Sequence, residues 1–157
     1  MKIIIVVAAF AFALSSTEST SVQNLKNARR TVADFRTLAV VLESYATDHN
    51  EYPGVATVAE LGPLVVPKYV TALPLKDAWG TDYRYLVSPD RRHYRFVSAG
   101  ADRAFDKQYE EITNKPPENH TSDNFADDIV YQDNGFRRLP VELKKAFDLH
   151  EERRADF

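Results

Sequence analysis

Between Leu25 and Ala46 the apolar residues Leu25, Ala28, Val32, Phe35, Ala39, Leu42 and Ala46 recur at intervals of 3, 4, 3, 4, 3 and 4, and Leu38 and Tyr45 widen the stripe. That is the period of an α-helix with one face turned to a core. Lys26, Arg29, Arg30, Asp34, Arg36 and Glu43 fall on its other sides. The spacing predicts an amphipathic helix of roughly 25 residues, long for a globular domain. It must stop at Asn50-Glu51-Tyr52-Pro53-Gly54, because proline has no amide to give a further turn and glycine favours leaving the helix. One long apolar stripe cannot bury itself, so the chain has to lay a sheet or further helices along it.

The remaining sequence points to a sheet. Tyr83-Arg84-Tyr85-Leu86-Val87 and His93-Tyr94-Arg95-Phe96-Val97 are short aromatic and β-branched runs on either side of Ser88-Pro89-Asp90-Arg91-Arg92, which predicts a β-hairpin. A third strand is expected at Asp128-Ile129-Val130-Tyr131, ended by Asp133-Asn134-Gly135. A short helix is expected from Thr57 to Val65. Another should run from Pro140 to about Glu152, with Val141, Leu143, Ala146, Phe147 and Leu149 available for packing. Residues 99–126 read as one polar loop, and loops above about 15 residues carry function or stay disordered. The expected fold is α+β: a long N-terminal amphipathic helix on a small antiparallel sheet, with an added C-terminal helix.

Ahead of the stripe, Lys2 precedes an unbroken apolar run from Ile3 to Leu14, followed by Ser15, Ser16, Thr17, Glu18, Ser19 and Thr20. As a helix that run rises only about 18 Å, short of a hydrocarbon core of about 30 Å. Its length suits the apolar region of a secretory signal peptide, and Ala11-Phe12-Ala13 offers a small-x-small cleavage site. An uncleaved anchor that touches the membrane through residues 3–14 is the competing reading. The organisation expected is a signal peptide or short membrane anchor at 1–14, a polar spacer at 15–23, a domain at 24–135 and a helical extension at 136–157. Either N-terminal reading makes the protein exported, whether periplasmic, inner-membrane-anchored or extracellular.

Composition removes several function classes. A net charge of -3 lacks the basic surplus of a nucleic-acid binder. The chain has no cysteine, which excludes disulfides, thiolate zinc sites and thiol catalysis. His49, His93, His120 and His150 form no His-Glu-x-x-His, and neither Gly-x-Ser-x-Gly nor a phosphate-binding glycine loop occurs. No motif unites nucleophile, base and orienting group, so no enzyme is expected and no catalytic residue is assigned.

Four segments carry a family resemblance. Leu42 to Pro53, with Tyr45, Tyr52 and Pro53, resembles the helix end of type II secretion major pseudopilins, where a tyrosine, an Asp-Asn-Gly turn and a Tyr-Pro pair follow a leucine- and alanine-rich helix. Leu73-Pro74 and Asp77-Ala78-Trp79-Gly80-Thr81-Asp82-Tyr83-Arg84-Tyr85 are similar to the family's Leu-Pro…Asp-Pro-Trp-Gly-x-x-Tyr-x-Tyr. Ser98-Ala99-Gly100-Ala101-Asp102 resembles its Ser-x-Gly-x-Asp, and Asp127-Asp128-Ile129 its Asp-Asp-Ile. The physical reading of these residues is structural. Trp79 is expected to plug the core where loop meets sheet, with Gly80 permitting the turn. Tyr52-Pro53 and Leu73-Pro74 are rigid corners.

The resemblance implies a non-enzymatic subunit of type II protein secretion, whose partners are other pseudopilins or secretion components. It also implies a calcium ion held by Asp102, Asp127 and Asp128, with backbone oxygens near Ser98 or Ala99. Nine acidic residues between Asp102 and Asp133 have the oxygen chemistry calcium takes. Two features depart from the family. Asp102 and Asp127 are 25 positions apart, where the family's loop is short and glycine-rich. The family's Phe-Thr-Leu-x-Glu start is missing, with Glu18 following the apolar run instead of opening it. A soluble exported pilin-like binding module, not assembled into a pseudopilus, is the alternative function.

Overall fold

The computed structural model describes residues 3–112 and 117–146, and side chains within 20–112 and 117–146. Its elements in chain order are α1 (Ile3–His49), α2 (Val58–Val65), β1 (Arg84–Val87), β2 (Tyr94–Ser98), a 3-10 turn (Lys107–Tyr109), β3 (His120–Ser122), β4 (Ile129–Gln132) and β5 (Gly135–Pro140). A further helical segment, α3, occupies residues 141–146. The fold is α+β, a long N-terminal helix on a mostly antiparallel five-stranded sheet with a C-terminal helix.

α1 buries the middle of the stripe its spacing predicts: Ala28, Val32, Phe35, Leu38, Ala39 and Leu42 are core residues, Leu25, Tyr45 and Ala46 are half-buried, and Val41, outside the predicted stripe, is buried as well. It is longer than the periodic segment, continuing unbroken through the Ser/Thr-rich stretch expected to be a spacer. Extending an existing helix costs far less than nucleating one, so poor helix formers with helix on both sides are carried along. Its end is set by Asn50, which takes φ 59. The Asn50 amide donates to the Ala46 carbonyl at 2.8 Å, a left-handed cap that asparagine tolerates well. α2 starts where expected, with the Thr57 hydroxyl accepting from the Glu60 amide.

The sheet runs in the order β1-β2-β4-β5-β3. β1 and β2 form the predicted hairpin, with Arg84 opposite Val97 and Val87 opposite Tyr94. β4 is the third strand anticipated from the sequence, but the chain does not leave the sheet after it. Asp133 (φ 47) and Asn134 (φ 64) form a tight two-residue turn, and β5 returns antiparallel to β4. Residues 136–140, assigned above to a helical extension, are therefore strand. The physical cause is the turn: Asp-Asn-Gly favours the left-handed pair of residues whose twist joins two strands. β3, inside the long loop, adds a parallel edge strand against β5.

The sheet is covered on both sides. Tyr83, Tyr85, Tyr94, Phe96, Ile129, Tyr131 and Leu139 belong to the core shared with α1. On the opposite face Val97, Val130 and Tyr109 make a second small cluster with Phe105 against it. The loop after β2 thus folds back as a lid, which explains why every residue of β2 and β4 is buried. Of the expected contacts of the C-terminal helix, Leu143 is buried in the main core, and Phe147 lies outside the described residues.

Candidate functional site

The residues singled out from the sequence divide into two groups, one between α1 and the sheet and one in the lid. The first is a set of polar staples anchored in the aromatic core. Tyr83 packs tilted against Phe35 with ring centroids 5.0 Å apart, and its hydroxyl donates to Asp34 on α1 at 2.8 Å. Burial, reinforced by the Asp34 carboxylate, raises the Tyr83 hydroxyl above its usual range, so it stays a donor. The Tyr52 hydroxyl donates to Glu43 at 2.9 Å, and its ring meets Tyr94 edge-on at 4.7 Å. Glu43 also accepts from Asn134 in the β4–β5 turn at 3.0 Å. Pro53 is buried and its carbonyl accepts from the Tyr85 hydroxyl at 2.9 Å. Tyr45 stacks on His49 at 3.9 Å and lies edge-on to Tyr69, tying the far end of α1 to the segment after α2.

Asp77 organises the turn that leads into β1. Only 3% exposed, its carboxylate accepts from the Trp79 amide at 3.0 Å, the Thr81 amide at 2.8 Å and the Ser98 hydroxyl at 2.8 Å. A buried carboxylate is tolerated when donors surround it in this way. Gly80 within the turn takes φ +95, which a side chain would oppose. Trp79 is half-buried against the core, not wholly inside it. Its ring N–H donates to Asn24 on α1 at 3.0 Å, so it staples as well as fills. Pro74 is half-buried in the segment before this turn.

The second group is the acidic lid. Gly100, at φ +68, lets the turn after β2 press on the Ala126 and Asp127 carbonyls, and a Cβ there would sit 2.5 Å from both oxygens. The Ala101 amide donates to the Phe125 carbonyl at 2.8 Å. The two ends of the 25-position separation are therefore in contact, as loop-closure costs allow. Asp102 is exposed and caps its own turn by accepting from the Ala104 amide at 2.9 Å. Asp127 accepts from the Ser122 hydroxyl and from Arg138 at 2.8 Å. Asp128 is 1% exposed; one carboxylate oxygen accepts from the Asp106 amide at 3.0 Å, and the other is buried without a partner. Burial pushes its carboxyl up to about 6.

That unpartnered oxygen would suit a cation, but the neighbouring groups do not form the expected cage. Among the described residues, no three acidic or histidine side chains are grouped so as to hold a metal ion. Asp127, which the resemblance makes a ligand, is already committed to Ser122 and Arg138. As they stand, the three aspartates do not fit a shared calcium ion. The charge pattern of the loop does not reveal Arg138, which lies in the segment 136–157 expected to be a separate helical extension. The signal available is the adjacent pair Arg137-Arg138 just past the Asp133-Asn134-Gly135 turn, with Phe136 between.

The outward side of α1 carries the most exposed large apolar residue of the described chain, Val40, at 65%. It lies between two shallow grooves, one bordered by Ala39, Glu43, Tyr131 and Asn134, the other by Thr37, Val41, Tyr69 and Val70. Among the described residues no helix is long and apolar enough to cross a membrane.

A long helix stapled across an antiparallel sheet through a Tyr-Pro corner and an Asp-x-Trp-Gly turn is a pilin-like domain. Residues 20–115 match the family of type II secretion system protein G, and the chain belongs to that family of major pseudopilins. No curated protein and no solved structure is a significant match to it.

Proposed function

We propose that this protein is a non-enzymatic subunit of the type II secretion apparatus, acting through contacts with other pilin-like subunits. The observation that carries the reading is the family match over residues 20–115. Its motifs fall on the staples that fix α1 to the sheet, such as Tyr83 on Asp34 and Trp79 on Asn24. A subunit built this way presents the outer side of α1, with Val40 exposed, to its neighbours. The protein is exported, held at the inner membrane or in the periplasm. A second reading is favoured by Ala11-Phe12-Ala13: cleavage after that site releases a soluble module that binds partners without joining a pseudopilus.

Fractionation of the exporting cells, followed by N-terminal sequencing, separates the two. The subunit reading expects a membrane-associated protein that keeps the apolar run. A soluble product starting at or near Leu14 overturns it in favour of the released module.

A further inference from the structure

The lid carries its own cation. Arg138 stands in β5 opposite Val130 of β4 and His120 of β3, on the sheet face that the lid covers, since Val130 belongs to the lid-side cluster. Its side chain is 12% exposed, and its guanidinium pairs with Asp106 and, at 2.8 Å, with Asp127. Asp106 is tied in turn to Asp128 through its amide, and Asp127 to Ser122 of β3. One guanidinium therefore joins the 3-10 turn region, the edge strand and the Asp-Asp-Ile segment. A planar fork with several donors bridges two carboxylates well and, unlike an ion, cannot dissociate from the fold.

We propose that Arg138 takes in this chain the place of a bound calcium ion: it bridges Asp106 and Asp127, offsets part of their charge and locks the lid against the sheet, making the domain independent of calcium. The residue comes from β5, which the Asp133-Asn134 turn joins to the strand that begins at the Asp-Asp-Ile segment. The long loop and β5 are then two halves of one device. The loop brings Asp106 into reach and the strand brings the counter-charge. A divalent ion sharing Asp127 would face the guanidinium's positive charge and would have to displace it, at the cost of leaving a mostly buried arginine unpaired.

Melting of the full chain in millimolar calcium and in EGTA tests this, on the wild-type protein, Arg138→Met and Arg138→Lys. The wild-type melting temperature should agree in the two conditions to within about 1 °C. Arg138→Met should melt lower by about 5 °C or more, because it leaves carboxylates facing one another without their partner. Arg138→Lys should fall between, since an ammonium supplies the charge without the fork. A wild-type midpoint that rises by several degrees in calcium overturns the proposal, whatever the variants do. So does an Arg138→Met protein that melts like the wild type. If Arg138→Met does not fold, the wild-type comparison and Arg138→Lys still decide the matter.

Discussion

On the side of the sheet that meets α1, Phe35, Tyr83, Tyr85, Tyr94, Phe96 and Tyr131 pack ring against ring. On the other side the contacts of β2, β4 and β5 are largely polar. Buried Arg95 donates to Gln132 at 2.8 Å and to the Glu111 carbonyl at 2.7 Å, and Arg138 holds Asp106 and Asp127. The helix side gains from apolar area, which tolerates small shifts and needs no particular partner atom. The lid side depends on matched donors and acceptors, where one lost partner leaves a buried group unpaid. Two covers on one sheet thus differ in how they fail: the first by degrees, the second through single residues.

That contrast can be broken or sharpened by substitution. The largest loss is expected from Phe35→Ala. Phe35 is fully buried and touches Tyr83, Phe96 and Tyr131, so its removal should cost about 3–5 kcal/mol in chemical denaturation. A loss below 1 kcal/mol would mean that the aromatic layer is not the main anchor. Next comes Gly100→Ala, which places a Cβ 2.5 Å from two carbonyl oxygens at positive φ. It should cost about 1–3 kcal/mol and speed amide exchange in the lid while α1 stays protected. Equal exchange in both regions would erase the distinction drawn here. Tyr83→Phe removes one hydrogen bond to Asp34 and keeps the ring, for a loss of about 1 kcal/mol. Smallest of all, Val40→Lys should leave the melting temperature within about 1 °C of wild type, because the side chain is exposed.

The same contrast governs what the sequence could tell. The apolar stripe of α1 was legible because hydrophobic burial leaves a period, and the aromatic hairpin was legible because alternation does the same. The lid leaves no period. His120-Thr121-Ser122 is a strand only because β5 lies beside it, and nothing in three polar residues announces a parallel edge. Asp133-Asn134-Gly135 looks in the sequence like the end of a strand and is the turn between two, which hides the strand at residues 136–140. Arg138 was lost with them. Asp102, Asp127 and Asp128 were found as a charge pattern, but a pattern of carboxylates does not say which cation, ionic or covalently attached, neutralises them. Trp79 was expected inside the core, and its hydrogen bond to Asn24, 55 positions away, could not be seen in one dimension.

The proposed place in a secretion pilus requires α1 to face other subunits, and the chain's lack of cysteine gives that point a clean probe. A single Val40→Cys, produced in the native cells at natural levels, places one thiol on the exposed side of the helix. Oxidation or a short bifunctional reagent should then trap adducts whose second component, identified by mass spectrometry, is another pilin-like subunit of the secretion apparatus. Adduct formation should disappear when the assembly ATPase of that apparatus is deleted. A protein that stays uncrosslinked and monomeric, with the apparatus present and active, would contradict the account.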